Sequence, residues 1–343
     1  MLPKDLARLL LPWYDKNARD LPWRRDVTPY RVWVSEIMLQ QTRIEAARGY
    51  FRRFMDALPD VAALAGAEEE TVLKLWEGLG YYSRARNLHK AAKRIMAEHG
   101  GQLPPDRDAL RALPGIGDYT AGAVASIAFG LSEPAVDGNV LRICARLSRC
   151  GDNIGDERVK RAFREELRTL YPADRCGDFT SALMELGETV CTPGTPDCAA
   201  CPLAGTCAAN AAGQQTDYPV MPEKKPRRIQ PKTVLLLCHD GRAALRKRPD
   251  RGLLAGMWEL PNVDGTLTEA EALETARAWG CEPESASPCG TAVHIFTHLE
   301  WHMTGYLIPC GREDPRFRWA DGETRRASHA VPTAFRAFQS MLP

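Results

Sequence analysis

The 343-residue chain is long enough for two or three domains, and its 44% hydrophobic and 26% charged content is that of an ordinary globular protein. A formal net charge of +1 excludes a globally basic surface, so a polyanionic partner would have to be met by local patches. No apolar run approaches the roughly 18 residues that span a membrane, so no membrane partner is expected. The stretch 6–13 is short, is flanked by Asp5 and Asp15 and lacks a small-residue cleavage site.

Taken in chain order, residues 1–209 read as helical. Tyr30, Trp33, Val34, Ile37 and Met38 recur at i, i+3, i+4, i+7 and i+8, which predicts a helix over 30–42. Turns are marked by Leu58-Pro59-Asp60, His99-Gly100-Gly101 and Leu113-Pro114-Gly115. Helices are expected near 106–112 and 118–129. Two basic stretches are either local nucleic-acid surfaces or merely solvated helix faces. They are Arg84, Arg86, Lys90, Lys93 and Arg94, and then Arg142, Arg146 and Arg149.

The stretch 211–232 holds Gly213, Pro219, Pro222, Pro226, Pro231 and the basic run Lys224, Lys225, Arg227 and Arg228, and reads as a linker. Beyond it come an apolar strand over 233–239 and a helix over 268–279, opened by Thr268 with Glu271 as a capping box. A partly alternating stretch follows at 293–308, with Gly305 as the candidate bulge. The chain is therefore read as multidomain: an all-α catalytic region over 1–209, a linker over 210–232 and a smaller α+β domain over 233–343. No fixed-period repeat or coiled coil is present.

Of the eleven cysteines, seven are scattered and read as small buried apolar residues. The other four, Cys191, Cys198, Cys201 and Cys207, have gaps of six, two and five residues. Four thiolates so close in sequence can hold one tetrahedral metal or one cubane cluster. Zinc modules normally bring two short knuckles, and only Cys198–Cys201 is present here. In Leu113-Pro114-Gly115-Ile116-Gly117 the glycines suit positive φ and a close approach of backbone N–H groups to an anion. The following helix N-terminus adds its dipole. Two carboxylates are candidates for an acid and an ionised partner of the kind that splits a glycosidic bond, although by themselves a helix glutamate is usually solvated and an Asp-Gly-Asn run is usually a turn. Glu36 lies on an apolar helix where burial would raise its pKa, and Asp137 lies in a Val-Asp-Gly-Asn loop where it can stay ionised.

The spacing of the cysteines, the Leu-Pro-Gly-Ile-Gly turn and the Asp-Gly-Asn loop together resemble the endonuclease III, or helix-hairpin-helix, superfamily of DNA glycosylases. Within it, Leu21-Pro22-Trp23-Arg24, Val34 to Thr42, Gly78 to Leu88 and Val136 to Val140 look like the adenine DNA glycosylases of the MutY type. The resemblance spans residues 19–207. It implies one [4Fe–4S] cluster on Cys191, Cys198, Cys201 and Cys207, and a partner of double-stranded DNA containing A:8-oxoguanine or A:G mispairs. It gives Glu36 the role of proton donor to adenine and later base for water, and Asp137 that of stabiliser of the sugar cation. Tyr119 and Asn139 would neighbour the reacting sugar. Trp23, Arg24 and Glu185 would form the pocket for an adenine flipped from the duplex. Gly115 and Gly117 would meet a DNA phosphate, and Gln41 and Tyr81 would wedge into the stack.

Bifunctional members of the superfamily carry a lysine two residues after the second glycine; here that position is Tyr119, which cannot form an imine, so a monofunctional enzyme is expected. The end of the chain is similar to the Nudix-like domain of the same family, starting in Arg248-Pro249 and Gly256 to Pro261. The hydrolase's acidic metal helix keeps Glu274 but offers Leu273, Arg277 and Ala278 at its other key places, so no nucleotide hydrolysis is expected. Phe296-Thr297-His298 stands where the family reads the opposite base with Phe-Ser-His; threonine keeps the hydroxyl and adds a methyl. A monomeric, cytoplasmic, nucleoid-associated protein is expected, with the alanine- and arginine-rich bias of a GC-rich bacterium. The alternatives are a thymine-mismatch glycosylase of the same superfamily, a non-catalytic iron–sulfur DNA-binding protein and a Nudix-type nucleotide hydrolase.

Overall fold

The computed structural model describes residues 1–223 and 226–343; Lys224 and Lys225 of the expected linker lie outside the described residues. The chain divides into two compact units, Met1–Gly66 with Asn87–Glu223, and Ala67–Arg86 with Lys224–Pro343. Among the described residues no helix is long and apolar enough to cross a membrane.

The first helices are α1 (Leu6–Asn17), α2 (Pro22–Arg25), α3 (Pro29–Leu39), α4 (Ile44–Ala57) and α5 (Val61–Gly66), all in the first unit. Next come α6 (Glu69–Leu75), in the second unit, and α7 (Ser83–Glu98), within which the chain crosses from the second unit to the first. The first unit then adds α8 (Arg107–Ala112), α9 (Asp118–Phe129), α10 (Gly138–Ser148), α11 (Glu157–Arg168), α12 (Cys176–Thr189) and α13 (Ala208–Ala211). It is all-α.

Helix α3 starts where Thr28 accepts from Arg31 N–H at 3.3 Å and Pro29 occupies the first turn. It buries Tyr30 and then every residue from Val32 to Met38, so it is a core helix rather than a surface one. The helix expected to reach Thr42 stops at Leu39, because Gln41 takes a left-handed φ of 58° and Thr42 N–H closes a turn on Leu39. Helix α9 is built from small residues and buries Thr120 to Ser126. A Cβ on Gly122 would stand 2.3 Å from the Pro134 carbonyl, so glycine is what lets that backbone pass. Leucine, valine and phenylalanine side chains of α1, α10, α11 and α12 form one core, among them Leu6, Leu10, Ile143, Phe163, Phe179 and Leu186. Cys191, Cys201 and Cys207 rest on its edge.

The second unit holds a seven-stranded sheet: β1 (Arg228–His239), β2 (Arg242–Lys247), β3 (Trp258–Glu259), β4 (Asn262–Asp264), β5 (Ser287–Ile295), β6 (Leu299–Pro309) and β7 (Arg318–Ala320). Its helices are α14 (Glu269–Ala278), α15 (Gly322–Ser328) and α16 (Arg336–Gln339), besides α6. The strand order is β3-β2-β1-β6-β5, with β4 on β1 and β7 on β2. The β1–β6 pair is parallel and the remaining pairs antiparallel. Val234 and Leu236 face a core with Trp301, Phe335 and Phe338, while Leu235 and Leu237 face another with Ala272 and Ala276 of α14. Burial on both faces is why this strand reads as an unbroken apolar run.

Two expectations need correction here. β1 begins at Arg228, inside the stretch read as linker, because its pairing with β6 uses backbone groups that polar residues supply equally well. Pro231 is tolerated there, and its carbonyl accepts from Gly265 N–H at 2.9 Å. The alternating stretch at 293–308 is the end of β5, a turn at 296–298 and β6. The bulge lies on β5, where Cys289 and Gly290 fall between the pairs Pro288–Tyr306 and Thr291–Thr304, opposite Gly305. Gly305 itself is a site of close approach, since a Cβ there would meet the Phe338 ring at 2.5 Å. The capping box of α14 forms as expected, Thr268 N–H donating to Glu271 at 2.7 Å.

Candidate active site

Five helices of the first unit line a cleft of 1120 Å³. Glu36 comes from the middle of α3, Trp23 and Arg24 from α2, Gly117 and Tyr119 from the start of α9, Asp137 and Asn139 from the start of α10, and Ser181, Glu185 and Glu188 from α12.

Glu36 is 5% exposed. Burial pushes its carboxyl up to about 7; the Tyr119 hydrogen bond opposes this, and the Asp137 charge adds to it. The Tyr119 hydroxyl donates to Glu36 Oε2 at 2.6 Å. Burial, then Glu36 and Asp137, hold that phenol well above its ordinary pKa, so it stays a donor. Asp137 caps α10, accepting from Val140 N–H at 2.8 Å, and takes a second bond from Asn139 Nδ2 at 3.0 Å. Burial nevertheless raises its pKa, against the pull of Val140, Asn139 and Arg142. The donors around Asp137 favour the ionised form that burial opposes. Asn139 also donates to Glu188 at 3.1 Å. Gly187 makes room for it, since a Cβ there would lie 2.6 Å from Asn139 Cβ.

The Glu185 side chain is fully buried. Arg19 Nε reaches its Oε1 at 2.5 Å and Arg24 Nη2 its Oε2 at 2.8 Å. Burial pushes Glu185 up, but the two guanidiniums outweigh it and hold the carboxyl below its ordinary value. Both oxygens are therefore engaged, and Glu185 orients Arg19 and Arg24 at the cleft wall. Trp23 is buried edge-on against Phe51. Sequence reasoning missed Arg19, Ser181 and Glu188. Arg19 and Ser181 carry no local signal, while Glu188 is legible only as the residue that follows Gly187 and lies about one turn beyond Glu185.

In the hairpin, Gly115 has φ of +78° and its Cβ would collide with Asn87, 2.6 Å away. Gly117 does not share the expected positive φ: it is extended, at φ −89° and ψ −178°, and a Cβ there would face open space. Asp118 binds Arg111, Arg107 and Arg164 at 2.5, 2.9 and 3.1 Å, which fixes the start of α9. Gln41 is exposed with a left-handed φ. Tyr81, in the second unit, shares that conformation at φ 48°, and its hydroxyl lies 3.1 Å from Thr297 Oγ1. Thr297 and His298 are exposed at the β5–β6 turn, while Phe296 packs on His294 and Trp301.

Two of the three arginines of the second basic stretch are not on the surface, while Arg149 is exposed. Arg142 and Arg146 are 7% and 3% exposed. Arg142 bonds Asn139, Gly187 and Cys191 carbonyl or amide oxygens at 2.8 Å. Arg146 bonds Thr192, Gly194 and Tyr218 carbonyls and lies 3.3 Å from Cys191 Sγ. Both hold the cysteine loop. In the first stretch Arg84 is likewise buried, donating to the Leu79 and Gly80 carbonyls, and Lys90 and Lys93 are exposed. Burial, then the charges of Cys191, Cys198 and Cys207, push Cys201 up to about 11. By chemistry, four cysteines are the donors a thiolate-held cofactor takes. Among the described residues, however, no three His, Cys, Asp or Glu side chains are gathered into a metal-binding group.

Residues 34–169 match the profile of the HhH-GPD superfamily of base excision DNA repair proteins, and residues 233–340 that of the NUDIX domain. The chain is 34% identical to an adenine DNA glycosylase of Homo sapiens, covering 97% of this chain and 74% of that one. It is 32% identical to one from Buchnera aphidicola, covering 88% and 86%. One from Arabidopsis thaliana is 38% identical over 84% of this chain, which spans only 55% of that relative's length. Among solved structures, a thermostable thymine-DNA glycosylase matches 61% of this chain and 96% of its own at 27% identity and a TM-score of 0.54. A trapped endonuclease III–DNA covalent intermediate shares the fold of the first unit, at 24% identity and a TM-score of 0.53 over 62% of this chain.

Proposed function

This chain belongs to the adenine DNA glycosylases, and on that premise we propose that the cleft of the first unit hydrolyses the N-glycosidic bond of adenine mispaired with 8-oxoguanine or guanine in duplex DNA. The observation that carries this reading is Glu36, buried, held by Tyr119 at 2.6 Å and pushed up to about 7, in one cleft with Asp137. A carboxyl with that pKa is about half protonated near neutrality and can give its proton to N7 of the base. The C1′–N9 bond then breaks, its electron pair leaves with the adenine, and the sugar becomes a cation beside Asp137. Asn139 and the N–H of Val140 favour the ionised form of Asp137, which the cation needs. Water adds at C1′, and Glu36, now a carboxylate, takes its proton. Tyr119 cannot form an imine, so the sugar is left as an abasic site with the strand intact.

Arg19 and Arg24, oriented by Glu185, suit the polar edge of an extrahelical base, with Trp23 as wall. Gly115 and Gly117 suit contact with a DNA phosphate. Gln41 and Tyr81 keep uncommon backbone conformations on exposed loops, which supports a role for them in wedging the stack. The Tyr81–Thr297 pair, with His298, supports reading of the opposite base by the second unit. Cys191, Cys198, Cys201 and Cys207 would hold one [4Fe–4S] cluster. Its iron–thiolate bonds would pin the loop that Arg142 and Arg146 shape from behind.

The test is single-turnover base release from duplexes containing A opposite 8-oxoguanine, A opposite G and T opposite G, with and without alkali. Adenine from the first two, with breaks mainly after alkali, is the expected result. Thymine release would move the chain to the mismatch branch, and no release from either adenine duplex would overturn the proposal.

A further inference from the structure

We propose that the second unit carries a binding site for a phosphoryl anion between α6, α15 and α16, apart from α14 and from the turn at 296–298. A cavity of 520 Å³ there is lined by Lys74, Glu77, Arg325, Arg326, His329 and Arg336. Four permanent cations thus face one carboxylate. Glu77 is already engaged, by Lys74 Nζ at 2.6 Å and by Val331 N–H at 2.8 Å. Among the described residues Arg325, Arg326 and Arg336 pair with no Asp or Glu side chain, and Arg325 meets the Pro343 main-chain oxygen.

Arg325 is the decisive side chain. It is 8% exposed; its Nη2 donates to the Pro343 carbonyl at 3.0 Å, while its Nη1 is buried with no hydrogen-bond partner. A buried guanidinium N–H without an acceptor is costly, and here the cost is concentrated in a cavity wall. Burial, and then the charge of Arg326, also disfavour the charged form of Arg325. An anion in the cavity offsets the clustered positive charge. Several guanidiniums converging from different elements favour a tetrahedral oxyanion with two or more charges, because each fork can take its own pair of oxygens. The volume exceeds that of one phosphate and leaves room for what the phosphate is attached to.

The probe is inorganic pyrophosphate, titrated calorimetrically into the full chain in magnesium-free, low-salt buffer. Arg326 and Arg336 are exposed, so the double variant Arg326→Ser, Arg336→Ser leaves the packed framework in place. Saturable binding by the parent chain, weakened at least tenfold in the variant, is the expected result. No saturable binding by the parent, or equal binding by the variant, would overturn the proposal. The titration is repeated with undamaged duplex DNA present. Displacement of pyrophosphate would assign the site to a backbone phosphate, and undisturbed binding would assign it to a free phosphate ester; both outcomes uphold the phosphoryl site.

Discussion

Glu36 holds its proton because α3 carries it into the interior, where the Tyr119 hydroxyl is bonded to it at 2.6 Å and Asp137 opposes its ionisation. Two consequences follow from a carboxyl raised from 4.5 to about 7. The rate of base release should fall about tenfold per pH unit above about 7, as the acid is lost. Stability behaves the same way: the unfolded chain releases this proton near 4.5, the folded chain only near 7, so stability declines as pH rises through that window. The loss is on the order of 3 kcal/mol. Glu36→Gln should therefore abolish excision and yet melt higher than the parent at ~pH 8. A lower melting temperature for the variant at that pH would contradict the burial argument. Asp137 combines two roles that one substitution separates. Asparagine caps helices as well as aspartate, so Asp137→Asn should keep stability within about 1 kcal/mol. The same variant should lose at least about a hundredfold in single-turnover rate, since the cation loses its counter-charge.

At the scale of elements, several contacts rest on one atom more or less. Gly305 lies under the Phe338 ring and beside Cys289 Sγ, at 2.5 and 2.8 Å from where a Cβ would be. Phe338 is fully buried and cannot swing away. Gly305→Ala should cost about 1–3 kcal/mol in urea unfolding, and an unchanged midpoint would show that the sheet and α16 can part freely. The cysteine loop depends in the same way on α10. Arg146 serves three carbonyls and approaches Cys191 Sγ, so Arg146→Met leaves acceptors of the loop without donors. Iron per purified chain should fall while far-ultraviolet dichroism is kept; full iron content in the variant would mean the loop holds its shape unaided.

At the scale of the molecule, the chain is not cut where its composition changes. Residues 67–86 group with the C-terminal sheet, through Lys247 to Glu70 at 2.8 Å, Lys74 to the His329 carbonyl at 3.4 Å and Val331 to Glu77 at 2.8 Å. A chain truncated after residue 223 strips these partners away. Limited proteolysis should then cut within 67–86, a segment expected to resist cleavage in the full chain. Equal resistance in both would show that α6 stands without the sheet. This grouping was not legible beforehand, because the segment's helical periodicity is the same whichever core receives it.

What the sequence by itself determined is whatever acts over a few residues. The capping box of Thr268 and Glu271, the left-handed Gly115, the all-round apolar α3 and the absence of a lysine at Tyr119 are of this kind, since caps, φ angles and side-chain chemistry are local. The cysteine spacing and the paired carboxylates carry the proposed chemistry, but not its geometry. Only the tertiary structure decided where charge is buried and with what. Arg19 and Glu185 stand 166 positions apart, Tyr81 and Thr297 216, and nothing in either neighbourhood announces the other. Arg142 and Arg146 look like surface cations until α12 and the cysteine loop cover them. Desolvation depends on everything packed around a group, and so it is a property of the folded molecule, not of the segment.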